Sequence, residues 1–123
     1  MPKKMTYLEE TILNILQAHQ GKDNPITVQE LEEMTLASSR KIRKIVASLV
    51  IHHNIPIASS VHYPYGFYLI TDKDEALACL RQYWSRVKEV ANRAKRLSKA
   101  VEDKFGVKYQ QEFDFDEDMQ SPT

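Results

Sequence analysis

The stretch Ser38–Asn54, SSRKIRKIVASLVIHHN, constrains this chain more than any other. At about 100° per residue, Ile42, Ile45, Val46 and Leu49 gather on one side of a helix. Arg40, Lys44, Ala47 and Ile51 fall opposite, flanked by Lys41, Arg43 and Ser48. Four cations thus stand within five positions, and the stretch contains no acid. Ser38 or Ser39 suits the N-cap, where a hydroxyl accepts from the free amides of the first turn. Ala47 and Ser48 are small, so the basic side can approach another surface closely. Phosphates attract Lys and Arg, a helix fits the major groove, and Arg can fork onto guanine edges. A solvated face on an amphipathic helix is the commoner fate of such a charge run. The flanking sequence decides between these readings.

Upstream, Thr6-x-x-Glu9 and Thr27-x-x-Glu30 both have the form of a capping box. The first opens a helix predicted to end near His19, with Leu8, Ile12, Ile15 and Leu16 on one face. Gln20–Pro25 reads as a loop. The second box opens a short helix from Val28 to about Met34, stapled by Ile26 and Leu31. Short helix, tight turn and basic helix make a helix-turn-helix pattern. Downstream, Asn54 is suited to a left-handed C-cap and Pro56 forbids continuation. Ile57–Ser60 and Gly66–Ile70 are β-prone and flank a turn-rich VHYPY connection, so they read as a hairpin, with Gly66 placed for unusual backbone angles. Three helices and a hairpin describe a winged helix.

From Ile26 to Leu69 the sequence resembles the winged-helix domain at the N-terminus of biotin-operon repressors, and modules of small phage and prophage DNA-binding proteins. The matching residues are Leu31, Ser38 opening the recognition helix, Ile42, Val46 and Leu49, then Ile55-Pro56-Ile57 and Gly66-Phe67-Tyr68-Leu69. The resemblance covers a third to a half of the chain and carries no catalytic signature. Glu32 stands where such motifs usually have Ala. Leu36 stands where the turn usually has Gly, and because Leu is costly at positive φ, a turn of different construction is expected. The tip of the wing offers His62, Tyr63 and Tyr65 instead of the usual Gly with Lys or Arg.

Thr71–Glu75 opens a last helix, with acids suited to its dipole. Nothing breaks the pattern before Gly106. From Leu77 to Phe105 a helix would run about 43 Å at ~1.5 Å per residue. Leu80, Trp84, Val87, Ala91, Ala94, Ser98, Val101 and Phe105 alternate spacings of four and three, a coiled-coil seam widened by Tyr83, Val90 and Leu97. A lone long helix with an apolar stripe is unstable in water. The expected partner is the same helix of a second copy, paired antiparallel.

Formal net charge is zero, but residues 1–106 carry 16 Lys/Arg against 12 Asp/Glu, and residues 107–123 carry one Lys against five acids. The acidic tail, with Phe113 and Phe115 among its acids, is expected to be flexible. Two other readings stay open, an edge strand and a docking peptide for a protein partner. A flexible polyanion of this kind would compete with phosphate for the basic helix. Cys79 is the only cysteine, and MPKKMTYLEE lacks the apolar run of a secretory leader, so a reducing, cytoplasmic location is expected. His52 and His53 are adjacent and cannot chelate together on a helix, His19 and His62 lie in other elements, and no metal or other cofactor is expected. No phosphate loop or nucleophile elbow appears, so no enzyme is expected.

The sequence therefore predicts an α+β fold in three parts: a winged helix-turn-helix over residues 1–72, a dimerisation helix over 73–106, and the tail. The expected function is sequence-specific binding of double-stranded DNA as a homodimer, in phage-type transcriptional regulation. Arg40, Arg43 and Lys44 would enter the groove, Ser38, Ser39 and Lys41 would position the helix on the backbone, and Ala47 would permit close approach. His62, Tyr63 and Tyr65 would supply the wing contact. An accessory role in replication or packaging, or a winged helix that contacts only protein, are the alternatives.

Overall fold

The computed structural model describes residues 4–109. It is α+β: four helices and one two-stranded antiparallel hairpin, in the order α1 (Tyr7–Leu16), α2 (Val28–Thr35), α3 (Ser39–His53), β1 (Ile57–Ser60), β2 (Gly66–Leu69) and α4 (Lys73–Phe105). The chain divides into two compact units, Met1–Ala76 and Leu77–Thr123. The division falls four residues later than the expected boundary, because the first turn of α4 belongs to the first unit. The tail beyond residue 109 lies outside the described residues, and with it the expectations for Phe113, Phe115 and the acids around them. No described helix is long and apolar enough to cross a membrane.

In the first unit each helix begins where a side chain satisfies its free amides. Thr6 and Thr27 both form complete capping boxes, with Glu9 and Glu30 returning a carboxylate to the cap amide. Ser38 Oγ accepts from Lys41 N at 3.2 Å. Helix α1 stops at Leu16, earlier than expected, and residues 17–19 finish in tight turns, with Ala18 N donating to Ile15 O and His19 N to Leu16 O. The core is apolar and continuous: Ile12 and Leu16 from α1, Ile26, Leu31 from α2, Ile42, Ile45, Val46 and Leu49 from α3, and Phe67 and Leu69 from β2.

The turn between α2 and α3 departs from expectation. Leu36 does adopt the left-handed conformation, at φ 62°, although it carries a β-carbon. Local hydrogen bonds hold it there. Leu36 N donates to Glu32 O at 2.8 Å, while Thr35 Oγ1 donates to Leu31 O at 2.7 Å and accepts from Ala37 N at 3.2 Å. Asn54 ends α3 in the same conformation, as its side chain suits.

The hairpin is in register Ile57↔Leu69 to Ser60↔Gly66. Gln20–Pro25, read as a plain loop, leads into a segment that pairs with the other edge of β2. Ile26 and Phe67 exchange two backbone hydrogen bonds of 2.8 Å, and Gly21 N donates to Leu69 O. This explains Gly66: its φ is 136°, and a β-carbon there would lie 2.3 Å from Ile26 O.

Candidate nucleic-acid interface

Helix α3 is anchored on one side and open on the other. Ile42 and Leu49 are fully buried and Ile45 and Val46 nearly so. Arg40, Lys41, Arg43, Lys44 and Ala47 are exposed, and Ser39 is half-buried at the first turn. Ser38 uses its oxygen as the cap acceptor, which leaves its hydroxyl proton for an outside acceptor. The exposed side of α3 thus carries the four cations and Ala47, with Ser38 and Ser39 at its N-terminal end.

Ser48 does not lie on that face. It is turned inward, and its Oγ donates to Glu9 Oε2 at 2.7 Å. His53 sits beside the same oxygen, with Nε2 at 3.1 Å but without a hydrogen bond to it. Glu9 is 2% exposed. Its other oxygen accepts from Thr6 N at 2.9 Å. The Thr6 amide, first, and then the Ser48 hydroxyl hold the carboxyl down from its usual 4.5 to about 2, against the opposing effect of burial. Glu9 therefore ties the start of α1 to the second half of α3 and fixes how the basic helix sits. A helical wheel contained the signal, because Glu9 shares a face with Ile12 and Leu16. Its partners 39 and 44 residues away were not readable from spacing.

His62, Tyr63 and Tyr65 form a separate exposed group in the connection between β1 and β2. Tyr63 is 86% exposed, and its ring meets that of Tyr65 edge to face at 6.2 Å. Ser60 Oγ donates to His62 O at 2.6 Å and steadies the connection. Tyr68 is buried as well, although it alternates with Phe67 and Leu69 of the core.

The stripe on α4 is open for most of its length. Leu80, Val87, Leu97 and Phe105 are exposed, as is Ala94, whereas Trp84 and Val101 are half-buried and Ala91 is buried. Among the described residues no three His, Cys, Asp or Glu side chains converge as metal ligands. The basic patch on α3 is local: the whole of Met1–Ala76 carries eight Lys/Arg and nine Asp/Glu. No family model, no curated protein and no solved structure matches this chain.

Proposed function

We propose that the first unit is a winged helix-turn-helix that binds double-stranded DNA sequence-specifically, and that the protein acts as a homodimer in transcriptional regulation. The observation that carries this reading is α3: four cations and Ala47 on one exposed face of a helix whose opposite face is locked in the core. Arg43 and Lys44 read base edges, Arg40 contributes to the same groove, and Lys41 with the two serines grips phosphate. A two-fold dimer calls for a site with two repeated halves, spaced by whole turns of the duplex.

The wing differs from the rest of the proposal in its chemistry. Tyr63 and Tyr65 offer hydroxyls and rings instead of cations, which suits sugar and backbone contact more than charge neutralisation. One observation favours a second reading, in which this fold contacts protein: the first unit has no net positive charge. Phosphate binding weakens steeply with salt and an apolar protein contact does not. Selection of bound duplexes from a random pool tests the first reading directly. Enrichment of a two-fold repeated sequence is expected; recovery of the unselected pool would refute sequence-specific binding.

A further inference from the structure

The positive charge of this protein is concentrated on α4. From Leu77 to Phe105 there are eight Lys/Arg against three acids, while the unit before it is close to neutral. The cations are ordered along the helix. At about 100° per residue, Arg81, Lys88, Lys95 and Lys99 fall within roughly 40° of arc on one flank of the apolar stripe. Arg86, Arg93 and Lys104 occupy the opposite flank, and Arg96 lies on the back with Glu89 and Asp103. Arg81, Lys88 and Arg93 have no acidic partner among the described residues. Lys99 meets Asp103 only at 4.0 Å with both side chains largely exposed, a pair worth little in water.

The first band ends in a depression. After Gly106, at φ 70°, the chain turns so that Lys108 Nζ comes within 3.9 Å of Glu102. Lys95, Ser98, Lys99, Glu102, Lys108 and Tyr109 line an open cavity of about 360 Å³. Its lining thus holds three lysines and one acid.

We infer that α4 is a second nucleic-acid contact, a sequence-independent rail that takes the phosphate backbone of a duplex, with the Lys95–Lys99–Lys108 depression holding one phosphate. Successive cations at Arg81, Lys88 and Lys95 are about 10.5 Å apart, and the band from Arg81 to Lys99 spans about 27 Å, most of one turn of B-form DNA. An anionic lipid surface would also attract these cations. The middle of the stripe is Ala91, Ala94 and Ser98, however, which offers little to acyl chains and suits a second helix instead. Pairing through the stripe would set Arg81, Lys88 and Lys95 along its edge, where their long side chains still reach solvent, and leave Lys99, Arg86 and Arg93 outside. A rail of this kind does not require α3 to read bases.

The test is the salt dependence of binding by the full chain to a duplex of random sequence, for wild type and for Lys88→Gln/Lys95→Gln/Lys99→Gln. Helicity by circular dichroism and mass by light scattering serve as controls for folding and assembly. The slope of log Kobs against log salt should fall in magnitude by about 0.9 for each phosphate that is no longer neutralised, roughly two to three units in all. The preference for a selected over a scrambled duplex should survive, since α3 is untouched. An unchanged slope would overturn the inference and leave the α3 reading standing. A reduced slope in a protein that shows no sequence preference would support the inference and remove the α3 reading. Loss of binding to phosphatidylserine vesicles, with duplex binding unaltered, would overturn it in favour of a membrane surface.

Discussion

At the scale of single residues, the placement of α3 rests on Glu9. Its carboxyl titrates near 2 in the fold against an ordinary 4.5. A depressed carboxyl contributes stability above its unfolded value and loses it as pH falls through the folded one. Denaturant unfolding should therefore show stability decreasing between about pH 4.5 and 2, by on the order of 3 kcal/mol. Glu9→Gln should abolish most of that slope and be less stable than wild type at neutral pH. If the variant keeps the full acid dependence, another carboxylate carries it. Leu36 is the opposite case, a side chain that is 92% exposed and forced into the left-handed region. Leu36→Gly removes the clash of the β-carbon without uncovering any core, so it should raise unfolding stability by about 1 kcal/mol. A variant that melts lower would mean that the leucine packs in solution.

At the scale of elements, local rules carried far. Both capping boxes, the cap at Ser38 and the left-handed Asn54 were all readable, because each depends on residues within one turn of the chain. Long-range pairings were not. The bond between Ile26 and Phe67 turns an apparent loop into an edge partner of β2, and Ser48 leaves the outer face of α3 for an acid 39 residues earlier. The α2–α3 turn shows the reverse failure. The residue type at position 36 argued against a left-handed turn, and the hydrogen bonds of Thr35 outweighed it. For α4 the apolar stripe was legible as a period, and its exposed side chains leave a surface that needs cover. Light scattering of the full chain at micromolar concentration should give the mass of a dimer, and truncation after Tyr83 should give a monomer. A full-length monomer would refute pairing through this stripe.

At the scale of the whole molecule, two positively charged surfaces would have different tasks. The patch on α3 is small, anchored by a buried apolar face and carried on a unit without net positive charge, which suits selection among sequences more than raw affinity. The bands on α4 are long and have few nearby acids, which suits affinity without selection. Net charge of zero for the chain conceals both. Division of labour of this kind predicts that sequence preference and salt dependence respond to different substitutions. The central claim is that α3 reads DNA, and the most direct measurement is the affinity of Arg43→Ala, Lys44→Ala and the double variant for a selected duplex and a scrambled one. Arg43→Ala should lose about 1–3 kcal/mol on the selected duplex and little on the scrambled one, with a further loss in the double variant. Undiminished affinity of the double variant for the selected duplex would contradict the account.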